Sequence, residues 1–179
     1  MRYIAFLSGI NVGKRRISMA NLASIFVELG FSEVRTHLAS DNVSFDSGTE
    51  PSIVEIEARF RLTFDFDTSV ALYGIDEVNT LLDQVSTSLK GELETCYRPL
   101  ADPKSDLYRY VVALSNGEHE LKHASKVARV DLIGSYRRGS LWRWTIEDGR
   151  PPASMAKLFT APTTTRFAHT LEKIYRASL

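Results

Sequence analysis

The spacing of apolar side chains divides the chain into elements. Residues 3–7 are an unbroken run of aromatic and aliphatic side chains closed by Gly9, which predicts a buried strand. Ser18 suits a helix N-cap. After it Met19, Leu22, Ile25, Phe26 and Leu29 recur on one helical face, and Gly30 supplies the stop. Val34, Thr36 and Leu38 alternate, as do Val43 and Phe45, with residues 39–42 as the turn of a hairpin. Pro51 stands where a first helical residue is expected, and Ile53, Ile56 and Phe60 form the buried stripe of a second helix. Residues 68–73 read as a strand ended by Gly74, so the first 73 residues run β-α-β-β-α-β, the split order of a ferredoxin-like unit.

Beyond residue 74, Ile75, Val78, Leu81, Leu82 and Val85 predict a helix. Residues 86–106 are polar, carry Gly91, Pro99 and Pro103, and read as a long loop. Residues 107–114 predict a strand, 118–125 a short polar helix and 127–133 a further strand. Arg137, Arg138 and Gly139 turn the chain into a strand over 140–146 in which Trp142, Trp144 and Ile146 share a face. A last helix is predicted from about Thr165 to the end, with Phe167, Leu171 and Ile174 as its stripe. The two halves faintly echo each other as α/β units.

Composition narrows the class. Twenty-two basic and twenty-two acidic side chains cancel, which disfavours a nucleic-acid partner without excluding a local basic patch. The single cysteine, Cys96, cannot form an internal disulfide and favours a reducing compartment. The N-terminal apolar run is too short for a signal peptide, and no window approaches the ~18–20 apolar residues of a membrane span, so the expected location is cytoplasmic.

Three segments carry candidate chemistry. The loop of residues 9–16, Gly-Ile-Asn-Val-Gly-Lys-Arg-Arg, joins a strand to a capped helix. Its glycines permit close backbone approach, and helix N-termini favour anions, so a phosphate or carboxylate site is physically reasonable. It is not a P-loop: the spacing G-x-x-x-G-K is one residue short, and Arg15 stands where a Mg²⁺-binding Ser or Thr belongs. The plainer reading is a tight turn with a solvated basic tip. His119, Glu120 and His123 match the zinc motif H-E-x-x-H, but Gly117 just upstream places His119 in a fraying first turn. A third ligand is also required, and only Glu147 and His169 are distant candidates, so a chance match is favoured. Tyr136, Arg137, Arg138, Trp142, Arg143 and Trp144 interleave bases with aromatics, as in base-stacking surfaces. Period-two geometry sends both tryptophans to the face opposite Arg143, most simply the core. Cys96 reads as an incidental thiol, and Asp65 and Asp67 as turn residues rather than a carboxylate pair.

Set side by side, Tyr-Ile-Ala-Phe-Leu-Ser-Gly-Ile-Asn-Val-Gly (3–13), Ile-Ser-Met-Ala-Asn-Leu (17–22), Leu-Gly-Phe (29–31) and Ser-Asp-Asn-Val-Ser-Phe (40–45) resemble the opening of the family of domain of unknown function 1697. That family reads (L/F)-R-G-I-N-V-G and S-G-N-V-x-F, and Thr-Thr-Arg-Phe-Ala-His-Thr (164–170) resembles its T-T-R-N-W-N-T. The resemblance implies an α+β fold of two similar subdomains. Residues 1–74 are then the ferredoxin-like unit, and residues 75–179 a second, similar α/β subdomain packed against it and ending in the C-terminal helix. It implies no established activity. It points to Asn11, Ser40, Asn42, Arg166 and Thr170, with Gly9 and Gly13, as motif positions, all of which equally suit turns and caps. This chain departs from the pattern at Ser8 (Arg in the family), Asp41 (Gly) and 167–169 (Asn-Trp-Asn).

The leading expectation is therefore a non-catalytic binding module for a small anionic ligand, a nucleotide or nucleic-acid phosphate, with nucleic acid itself the less favoured partner. Its candidate residues are Asn11, Gly13, Lys14, Arg15, Ser40, Asn42, Arg166 and Thr170, brought to one edge of a sheet, and no cofactor is expected. A structural or protein-interaction role is the alternative, and a zinc hydrolase through His119, Glu120 and His123 the remote one. Partner and oligomeric state are left open.

Overall fold

The computed structural model describes residues 1–11, 16–37, 41–89, 108–117, 130–145, 158–159 and 161–179. They divide into two compact units, one of Met1–Val78 with Ile174–Leu179 and one of Asn79–Lys173. Each is built on a four-stranded antiparallel sheet, so the class is α+β.

In the first unit β1 (Arg2–Ser8) leads to α1 (Met19–Glu28), the hairpin β2 (Ser32–His37) and β3 (Asn42–Asp46), then α2 (Ile53–Phe64) and β4 (Ser69–Gly74). The expected caps form: Ser18 Oγ accepts the Asn21 N–H at 3.1 Å, and Gly30 closes α1 at φ +85°. The second helix starts two residues later than Pro51 suggests, at Ile53, because Ser52 Oγ takes the Glu55 N–H and becomes the cap. The sheet order is β2-β3-β1-β4, with Ile4 opposite both Ser44 and Tyr73. This is the ferredoxin-like order expected from β-α-β-β-α-β.

The alternation of β1 sends Tyr3, Ala5 and Leu7 to one face, where Leu22, Ile25 and Phe26 of α1 and Ile56 and Phe60 of α2 meet them. Phe45 is the hub, its ring 5.1 Å from Phe26, 4.4 Å from Phe31 and 5.9 Å from Tyr3. Ile4, Phe6 and Tyr73 on the other face are buried as well. Edge strand β4 has two of its amides taken by carboxylates: Val70 N–H donates to Glu57 Oε1 and Gly74 N–H to Glu77 Oε2. Such coverage blunts an edge that would otherwise pair with another strand.

In the second unit β5 (Tyr108–Leu114), β6 (Val130–Tyr136), β7 (Gly139–Thr145) and β8 (Thr164–Phe167) take the order β6-β7-β5-β8. Second, third, first, fourth is the order of the first sheet repeated. In both halves the fourth strand runs directly into a helix, α3 (Ile75–Ser88) and α4 (Ala168–Ser178). The echo in the sequence is thus a repeat of sheet topology.

Several expectations are corrected. Thr164–Phe167 is a strand, not the start of the last helix, because its β-branched threonines pair with β5, Thr164 opposite Leu114 and Phe167 opposite Val111. The helix α3 runs on through 86–88, into what reads as loop. Strand β6 extends to Tyr136 and is interrupted between Leu132 and Gly134. Gly134 has a steric reason: a Cβ there would lie 2.7 Å from Tyr136 Oη, which is held by Ser88 Oγ at 2.8 Å and Gln84 O at 3.3 Å. Trp142 points into the core with Val111 and Ala113, edge-on to Phe159, as the alternation predicts. The expected helix at 118–125, most of the 86–106 loop and Ile146 lie outside the described residues. Among the described residues no helix is long and apolar enough to cross a membrane.

Candidate functional site

At the end of β1 the chain leaves the sheet through Gly9, whose φ of +75° is the left-handed conformation glycine tolerates best. Ile10 is then fully buried in the core, and the Asn11 side chain makes two hydrogen bonds. Its Oδ1 accepts the Ile17 N–H at 3.0 Å, and its Nδ2 donates to Asp41 Oδ1 at 3.4 Å. Asp41 O in turn accepts the Leu7 N–H at 2.8 Å, and Thr68 Oγ1 donates to Ser8 O at 2.8 Å. One asparagine therefore anchors both flanks of residues 12–15 and ties them to the β2–β3 turn, just ahead of the Ser18 cap of α1. Replacing Asn11 with alanine leaves the Ile17 amide without this acceptor. The expected cost is about 1–3 kcal/mol, read as a lower urea midpoint at unchanged slope.

Of the other predicted site residues, Gly13, Lys14, Arg15 and Ser40 lie outside the described residues. Asn42 is 2% exposed, and its Nδ2 donates to His37 O across the hairpin at 3.3 Å. Arg166 and Thr170 belong to the second unit. Arg166, half-buried on β8, gives Nη1 to Thr164 Oγ1 and to Thr165 O, both at 2.8 Å. Next to it His169 stacks on Phe167, ring centroids 5.6 Å apart. His119, Glu120, His123 and Cys96 are outside the described residues, among which no group of three or more His, Cys, Asp or Glu side chains could hold a metal ion. Asp65 caps α2 in the left-handed conformation and Asp67 pairs with Arg61, so the two aspartates do serve a turn.

A buried polar cluster not legible as a site in the sequence lies on the other face of the first sheet. His37 Nε2 is 2.7 Å from Ser44 Oγ and 3.3 Å from Ser178 Oγ at the end of α4. Arg2 donates Nη2 to Ser44 Oγ, Nε to Ser178 O and Nη1 to Glu33 O, and pairs with Asp46 at 3.4 Å. Burial, then the guanidiniums of Arg2 and Arg35, hold the imidazole below its ordinary 6.5. The Ser44–His37 distance is that of a nucleophile and its base. Ser44 is fully buried, however, and its oxygen already accepts from Arg2, so the pair lacks the access that nucleophilic catalysis needs.

Residues 1–127 match the family model described as "Protein of unknown function (DUF1697)". The chain belongs to the DUF1697 family. The match contains the Asn11 clamp and the hairpin, whereas the 164–170 motif lies beyond it. No match is found among curated proteins. A conserved bacterial protein from Streptococcus pneumoniae has a similar structure, with a TM-score of 0.62 and 22% identity over 99% of this chain and 98% of that chain. At that identity the likeness establishes the fold.

Proposed function

We propose that this DUF1697 protein is a non-catalytic module holding a small anionic ligand, a phosphate or carboxylate group, on the loop of residues 9–16. The observation that carries the reading is the Asn11 clamp. By anchoring Ile17 on one side and Asp41 on the other, it restricts the flanks of the segment that contains Gly13, Lys14 and Arg15. Pre-organisation of this kind lowers the cost of ordering a loop around a ligand. Two adjacent cations and a glycine close to a helix start supply charge and close backbone approach. In this reading Asn11 is a positioning residue, Asn42 supports the hairpin, and Lys14 and Arg15 make the contacts.

A thermal-shift screen of inorganic phosphate, nucleotides and dicarboxylates tests it. The wild type is expected to be stabilised in a concentration-dependent way, and the Lys14→Ala/Arg15→Ala double variant to lose the effect. Stabilisation by none of these anions would sink the proposal.

A protein-interaction role is the second reading, favoured by Val54 and Leu62. These lie eight residues apart on α2 and are 74% and 82% exposed. It predicts a concentration-dependent sedimentation coefficient that Leu62→Glu abolishes.

A further inference from the structure

The strand registers match the two halves residue by residue. Tyr3 faces Phe45 and Gly74 across β1, and Val111 faces Trp142 and Phe167 across β5. Tyr-Ile-Ala-Phe (3–6) therefore corresponds to Val-Val-Ala-Leu (111–114), and Gly9 to Gly117. Phe45 and Trp142, the large rings of the two cores, occupy the same position. On the second strand His37, opposite Asn42, corresponds to Tyr136, opposite Gly139. Each is the last residue of its strand, and each strand carries an irregularity in register.

These two side chains meet equivalent points. Tyr136 Oη lies 2.8 Å from Oγ of Ser88, the last residue of α3, and donates to Gln84 O, four residues earlier, at 3.3 Å. His37 Nε2 lies 3.3 Å from Oγ of Ser178, the last residue of α4, whose hydroxyl donates to Ile174 O, again four residues earlier, at 2.7 Å. A neutral imidazole with its proton on Nε2 donates to Ser44 Oγ at 2.7 Å and shares that proton with Ser178 Oγ. Arg2 Nε adds a bond to Ser178 O at 2.9 Å. The second contact has left its mark on the sequence at Gly134, where a Cβ would lie 2.7 Å from Tyr136 Oη and 3.1 Å from Ser88 Oγ.

Both helices change unit along their length. Helix α3 follows β4 of the first sheet, yet from Asn79 on it belongs to the second unit. Helix α4 follows β8 of the second sheet, yet from Ile174 on it belongs to the first. We propose that the two halves exchange the ends of their last helices. Tyr136 with Ser88, and His37 and Arg2 with Ser178, are matched straps, each holding an exchanged end on the sheet of the other half.

The expectation is crosswise: removing a group from one sheet loosens the helix that grows out of the other. Hydrogen exchange of the full-length protein tests it. In Tyr136→Phe the amides of 84–88 are expected to lose about three- to tenfold protection while those of β1–β4 keep theirs. In Arg2→Met the amides of 175–178 are expected to lose about as much while those of β5 and β7 keep theirs. An unchanged end of α3 in the first variant, or an unchanged end of α4 in the second, overturns the exchange. Nuclear Overhauser contacts of the wild type give a reading that needs no variant. Contacts from the Tyr136 ring to Ser88 and from the His37 ring to Ser178 support the exchange, and the absence of either contradicts it.

Discussion

Replacing Phe45 with alanine is expected to cost the protein about 3–5 kcal/mol. The ring is fully buried, lies between the sheet and α1, and touches Tyr3, Phe26 and Phe31. Its removal forfeits the transfer free energy of the ring and opens a cavity that three other rings cannot all collapse to fill. Typical whole-domain stabilities are about 5–15 kcal/mol, so the loss approaches the point at which the first unit no longer folds. Urea unfolding followed by circular dichroism measures it. Leu62→Ala on the exposed side of α2 is the control, expected to stay within about 0.5 kcal/mol. A cost below about 1 kcal/mol for Phe45→Ala would mean that this ring is not the centre of the core.

Trp142→Ala is expected to be of similar size in the second unit, about 3–5 kcal/mol. The described core there is smaller, with Val111, Ala113, Leu158 and Phe159 around one indole. A single large residue therefore carries a larger share of the buried area. The substitution also removes the donor that meets Ser140 Oγ at 2.6 Å. Trp142→Phe weights the hydrogen bond more heavily, because it keeps most of the apolar volume while removing the N–H donor and part of the indole. Its expected cost is about 1–2 kcal/mol, measured by the same unfolding experiment.

The contrast between the two halves shows what is readable before folding. Ser18, Gly30 and the alternation around Val43 and Phe45 act within a few residues, so α1 and the first hairpin are visible in the sequence. The strand Thr164–Phe167 is not, because Phe167, Leu171 and Ile174 continue a helical spacing backward through it. Only its pairing with β5, 50 to 56 positions away, makes it a strand. The same distinction governs the candidate sites. Asn11 is conspicuous in the Gly-Ile-Asn-Val-Gly segment, yet its work on Ile17 and Asp41 depends on where the hairpin turn arrives. The strand alternation already sets Asn42 and Ser44 opposite Val43 and Phe45, but nothing local announces that Ser178 completes their cluster. Conversely, His119 and His123 are prominent as a motif and lie outside the described residues.

The proposed function rests on an anion meeting Lys14 and Arg15 between the Asn11-held ends of their segment, and calorimetric titration tests it most directly. Inorganic phosphate and a nucleoside triphosphate are titrated into the wild type, the Lys14→Ala/Arg15→Ala variant and Asp41→Asn. The last keeps an acceptor for Asn11 and removes a carboxylate that repels an anion. The account predicts saturable binding of at least one of the two anions to the wild type, loss of that binding in the double variant, and binding about two- to fivefold tighter in Asp41→Asn. No saturable heat with either anion, or undiminished binding when Lys14 and Arg15 are both removed, would contradict it.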